Sequence, residues 1–408
     1  MGSEKGKLSS LGAISRRAFL AATSAGAALA LTGCSSMSGE SAMSMPKKLA
    51  CYKKHFGTLP NGRKVDQFTL TNSHGMVVQM ITYGARFQRI IMPDRKGNLG
   101  DVILGFDNLA DYARSRAMDP YFGATIGRYA NRINHGRFTM DGKTYHLPLN
   151  DGSCTINGGP HAFDQQVWDA EPVTELGMPG IRFSLFSPNG ENGFPGDLQV
   201  NATYVLTDDS TVKVHFRAVT NMSTVINMCN HAYFNLLGPG TNAMGHELMI
   251  NADYYTPVNH HFIPTGAMAR VAGTALDFRK PMIVGSRLKH FPKGSKACFD
   301  LLPFGYDYNW CLRNQNENKL ALAAVLSEPT TGRYIRCSTT QPGIQVYTAN
   351  FLTGDINGIG GRYSRHGAIT LETQHYPNSP NEPQFPSTLL RPGEMFYQRT
   401  DYQFGVQA

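Results

Sequence analysis

One of the thirteen histidines in this chain sits in an unusual place. His231 lies within "NMCNHAYFNLLG", Asn227 to Gly238, an apolar and aromatic run that carries asparagines and reads as the end of a strand. Imidazole titrates closer to neutrality than any other side chain, so it suits general acid–base work. Taken alone, the window favours a core histidine whose ring nitrogens are satisfied by neighbours. Other chemistries leave no sequence trace: there is no P-loop, no GxGxxG after a strand and no metal-binding His/Cys cluster. No cysteine pair has CxxC spacing, so zinc and thioredoxin-type redox motifs are unsupported. The expected cofactor and metal content is none.

A second chemical signal stands at the N-terminus. "SRRAFLAATSAGAALALTGC" places Arg16 and Arg17 before a weakly apolar Ala/Leu/Gly run that is short for a membrane span. It resembles a bacterial twin-arginine export signal, and Leu31-Thr32-Gly33-Cys34 resembles a lipobox. The expected organisation is a signal over 1–33, lipidation of Cys34, a flexible tether over 34–50 and a single domain over 51–408. Acylation at Cys34 would anchor the chain to a membrane, on the periplasmic face. Six cysteines would remain for an oxidising compartment, which permits disulfides without requiring them.

The elements that must position His231 are strands. Glycine (42) and proline (23) are plentiful in 408 residues, charged residues are 17%, and long helical patterns are scarce. "RFTMDGKTYHL" reads as a hairpin turned by Asp141-Gly142, and "NLADYARSR" as one short helix. The net charge is +8; four N-terminal cations against Glu4 supply three of those charges, leaving five on the rest of the chain. No basic run of nucleic-acid type occurs there, so nucleic acid is not an expected partner. One large antiparallel β domain, a monomer or weak dimer, is the economical reading.

Nine segments in order are similar to the aldose 1-epimerase (galactose mutarotase) family: "YFGATIGRYANRINHGRFTMDGKTYHLPLNDG", "NGGPHAFDQQVW", "NGENGFPGDLQVNATYVLTDD", "NHAYFNLLG", "YTPVNHHFIPTG", "GTALDFRKP", "GYDYNWCL", "TTQPGIQVYTANF" and "LETQHYPNSPNEPQFPSTLLRPGE". The quoted segments run from Tyr121 to Glu394, and the resemblance as a whole covers roughly Phe56 to Tyr402. The resemblance implies an all-β fold, a large antiparallel β supersandwich with a sugar site on a concave face. It also implies the reaction, opening and reclosing of a free sugar's ring so that α and β anomers interconvert. One group takes the proton from the C1 hydroxyl and another gives one to the ring oxygen, with no cofactor.

By that resemblance His231 is the general acid and Glu372, in Leu371-Glu372-Thr373-Gln374, the general base. Without that context Glu372 would read as a solvated carboxylate at a strand end. The sugar-hydroxyl contacts fall on Asn131, Arg132, Asp277 and Gln341, whose planar or forked groups suit a polyol. Arg132 and Asp277 would alternatively pair with each other. The sequence departs from the family at Asn157-Gly158-Gly159, where a His-Gly-Gly turn is usual, and at Tyr308, often histidine. Asn157 can still hydrogen-bond a sugar but cannot carry a proton. His161 reads as a turn-surface residue. The expected substrate is a free monosaccharide. A hexose-6-phosphate epimerase and a non-catalytic sugar-binding lipoprotein are the alternatives.

Overall fold

The aspartate–glycine turn predicted from sequence shows how local chemistry shapes this chain. In the computed structural model, which describes residues 48–114, 120–290, 305–314, 316 and 319–407, strands Arg137–Met140 and Lys143–His146 pair antiparallel. Asp141 and Gly142 both take positive φ, 48° and 77°, the twist that a two-residue hairpin needs. The short helix is a single turn, Leu109–Tyr112, capped by Asn108, whose Oδ1 accepts from the Asp111 N–H at 3.0 Å. Cys34 and nearly all of the tether lie outside the described residues. Cys154, Cys229, Cys311 and Cys337 are free thiols.

Three antiparallel sheets carry the architecture of this β supersandwich. The largest has nine strands in the order Asp169–Glu175, Met178–Ser187, Leu198–Leu206, Thr211–Thr220, Phe396–Val406, Arg333–Thr339, Ala321–Ser327, Glu247–Ile250 and Met282–Ile283. A five-stranded meander runs from Ala50–Thr58 to Leu99–Asp101. Side chains of the two sheets meet in a shared core, where Phe68 packs edge-on to Phe183 at 6.3 Å and Phe87 to Tyr204 at 5.0 Å.

The third sheet runs Ala269–Arg270, Ala252–Tyr255, Asp307–Leu312, Gly343–Tyr347 and Glu372–Gln374. Its last three strands are buried along their whole length. Side chains alternate across a strand, so one face can be apolar while the other is polar. Tyr308, Trp310, Leu312, Ile344 and Val346 enter the apolar core. The opposite parity carries Asp307, Asn309, Gln345, Glu372 and Gln374, all buried. Register sets them in rows: Asn309 opposite Gln345, which is opposite Glu372. Asn309 Nδ2 and Oδ1, Gln345 Oε1 and both polar atoms of Gln374 are buried with no hydrogen-bond partner among the described residues, and such groups call for an explanation.

Candidate active site

His231 interrupts two short pairings. Cys229–Asn230 pairs with Thr125–Ile126, and Tyr233–Phe234 pairs with Ile369–Thr370. The His231 N–H donates to the Ala124 carbonyl at 2.8 Å, and its own carbonyl accepts from Gly123 N–H at 3.0 Å. Because Tyr233 lies opposite Thr370, the chain two residues beyond delivers Glu372 to the imidazole. His231 Nε2 stands 3.6 Å from Glu372 Oε1. Both are buried, at 7% and 3% exposure. The imidazole stacks against Tyr121 and Tyr233, at 5.5 and 5.1 Å between centroids.

Burial acts on the two groups in opposite directions. Loss of water pulls His231 down to about 4, against the favourable charges of Asp307 and Asp164. It pushes Glu372 up to about 7, against hydrogen bonds from Thr370 and Cys229 and the charge of Arg132. Thr370 Oγ1 donates to Glu372 Oε1 at 2.8 Å, and the Cys229 thiol donates to Oε2 at 3.7 Å. Between those values the pair holds one exchangeable proton, resting on the carboxyl beside a neutral imidazole. Oppositely displaced acid and base in one buried site are what proton-transfer catalysis uses.

Arg132, Asn131 and Asn157 are brought together, and the charge of Arg132 reaches the pair. Arg132 Nε donates to Asp151 Oδ2 at 2.6 Å, and its charge reaches both Asp307 and Glu372. Asn131 and Asn157 clasp one another: the Asn131 N–H donates to Asn157 Oδ1 at 2.8 Å and the Asn157 N–H to the Asn131 carbonyl at 3.1 Å. Both take left-handed φ, 63° and 50°, which asparagine tolerates better than most residues. Gly158 has no freedom to change, since a Cβ there would stand 2.1 Å from the Gly127 carbonyl oxygen. His161 is exposed on the following turn.

Two expectations are corrected. Asp277 is not at the pair: its carboxylate is held by Arg279 at 2.8 and 2.9 Å. Its loop packs on the core face of the third sheet, where Trp310 Nε1 donates to the Leu276 carbonyl. Arg132 and Asp277 therefore have different partners and do not pair. Gln341 is buried, with its Oε1 2.8 Å from His375 Nδ1, so it braces the segment that follows Glu372. The residues at the site are instead Asp307 and Gln345, joined by a 2.6 Å bond from Gln345 Nε2 to Asp307 Oδ1. The signal that would have found them is parity: each alternates with core residues in a strand buried on both faces. Tyr308 has the other parity and packs edge-on against Tyr255 and Trp310, away from the polar face.

A β supersandwich with a carboxylate–imidazole pair among buried amides, a guanidinium and a second carboxylate defines a class of proton-transfer enzyme for polyhydroxylated substrates. Residues 66–403 match the aldose 1-epimerase family. The chain is 42% identical over 354 residues to galactose mutarotase of Mus musculus, covering 86% of this chain and 97% of that protein. It is 35% identical over 347 residues to the aldose 1-epimerase of Escherichia coli, covering 85% and 96%. The crystal structure of galactose 1-epimerase from Lactobacillus acidophilus superposes with a TM-score of 0.76 at 31% identity, covering 88% of this chain and all of that one. The chain belongs to the aldose 1-epimerase family, whose members are isomerases.

Proposed function

We propose that this chain interconverts the α and β anomers of free aldoses such as glucose or galactose by acid–base ring opening. The observation that carries the reading is the 3.6 Å approach of His231 Nε2 to Glu372 Oε1 in a buried site. Substrate hydroxyls polarise the pair, and the proton on Glu372 passes to His231. The negative charge of Asp307 favours the imidazolium and the positive charge of Arg132 the carboxylate. Glu372 then takes the proton of the C1 hydroxyl while His231 protonates the ring oxygen, and the C1–ring-oxygen bond breaks. The open aldehyde turns about its C1–C2 bond, and ring closure reverses both transfers. Arg132, Asp307, Gln345, Asn131 and Asn157 hold the remaining hydroxyls.

Exchange spectroscopy on the anomeric protons of glucose and galactose tests this: catalytic amounts of the protein should give cross-peaks between the anomers at mixing times where buffer gives none. Folded protein that produces none with any aldose would refute it.

The same chain is exported by the twin-arginine route and held at the periplasmic face of a bacterial membrane by lipid on Cys34. Arg16-Arg17 and Leu31-Thr32-Gly33-Cys34, in that order and spacing, support this.

A further inference from the structure

The turn Asn259–Ile263 bears a feature that the reaction above does not use. Phe262 has φ of 59°, a backbone region that a bulky aromatic residue seldom enters. It is fixed there: its N–H donates to the Asn259 carbonyl at 2.9 Å, and Asn259 Oδ1 accepts from His261 and Ile263 N–H at 2.9 and 3.2 Å. The strained conformation lays the Phe262 ring against the Arg132 guanidinium, 5.0 Å from centroid to Cζ. Behind it stands Phe351, edge-on at 6.3 Å and 61% exposed, itself stacked on Tyr347.

Arg132 needs such support. Its Nε is bonded to Asp151, and its terminal nitrogens make no hydrogen bond to a described residue although the side chain is buried. A guanidinium clipped at one edge still swings about that edge. An aromatic face beneath it fixes its plane and favours its charge at the same time. Local strain retained at one place in a fold points to a role for the conformation it maintains.

We propose that Phe262 is a positioning residue that holds Arg132 flat, so that the terminal N–H groups of Arg132 are presented to two adjacent sugar hydroxyls. This rests on the aldose epimerase reading and names a specificity element within it. Phe262 acts on substrate binding through Arg132 and has no part in the proton transfers.

The test is steady-state anomerisation kinetics on Phe262→Leu, Phe262→Tyr, Arg132→Gln and the Leu/Gln double variant, with thermal melting of each. Phe262→Leu should raise KM roughly 3- to 30-fold, the range a cation–π contact supplies, with kcat nearly unchanged. Phe262→Tyr keeps a ring and should restore KM. In the Arg132→Gln background Phe262→Leu should add little, since the group it positions is gone. The proposal is overturned by an unchanged KM in Phe262→Leu, by equal losses in kcat, KM and melting temperature that tyrosine does not rescue, or by full additivity in the double variant. If Phe262→Leu does not fold, Phe262→Met carries the same readout. An inactive wild type in this assay would refute the epimerase reading itself, whereas an active wild type with a normal Phe262→Leu refutes only the positioning role.

Discussion

Replacing Glu372 by glutamine should slow the enzyme and, above neutral pH, stabilise it. The carboxyl is buried, receives hydrogen bonds from Thr370 and Cys229, and is held at about 7 instead of the ordinary 4.5. An acid raised in the folded state binds more protons folded than unfolded. Its penalty on stability is therefore absent below the unfolded value, grows as pH rises from 4.5 to about 7, and is constant beyond. At 1.36 kcal/mol per unit the full penalty is about 3 kcal/mol. Glutamine cannot ionise, so Glu372→Gln removes that penalty, less the cost of an amide NH2 facing one of the two donors. The same change deletes the base and should slow catalysis by about 10²–10⁴, or about 3–5 kcal/mol of transition-state stabilisation. Polarimetry on fresh α-glucose gives the rate, and denaturant melts at pH 5 and pH 8 give the stability. The stability of the variant relative to wild type should improve between the two pH values. Near-normal turnover, or a relative stability that falls with rising pH, would refute the reasoning.

The pH profile of kcat/KM should be bell-shaped, because raising pH through about 7 strips the pair of its proton and lowering it through about 4 leaves no acceptor; a rate that is flat across both values would count against a shared proton. Asn157→Ala should raise KM and lower melting temperature together, since it orphans the buried Asn131 N–H at about 1–3 kcal/mol, while loss of kcat alone would give the turn a chemical role. Cys34→Ser should abolish lipid labelling and signal removal, and a chain starting near Ser44 should be soluble and active. Mass spectrometry of the N-terminus decides, with an intact, unmodified Cys34 as the contrary result.

Much of this fold is legible from local chemistry. Asp141-Gly142 dictates its hairpin, and polar–apolar alternation marks the strands around it. His231 and Glu372 are reached only through the resemblance to the family, since their own windows read as a core histidine and a solvated strand-end carboxylate. The aspartate and glutamine at the site could not be chosen that way, since Asp277 and Asp307, or Gln341 and Gln345, lie in equally suggestive segments. What separates them is parity and register: Gln345 stands opposite Glu372, whereas the loop of Asp277 docks on the far face of the sheet. The clasp between Asn131 and Asn157 joins a side chain to backbone across 26 residues of sequence, which no local pattern encodes. Phe262 on Arg132 is more distant still.

The central claim is that His231 and Glu372 work as one unit, passing a single proton through a sugar's ring opening. The most direct test is a double-mutant cycle by polarimetry on His231→Ala, Glu372→Gln and the two combined, under identical conditions with folding verified. Residues that act as a unit are not additive. Each single variant should lose about two or more orders of magnitude in kcat, and the double should be scarcely slower than either. A double variant whose loss is the product of the two single losses, or either single variant turning over at the wild-type rate, would contradict it.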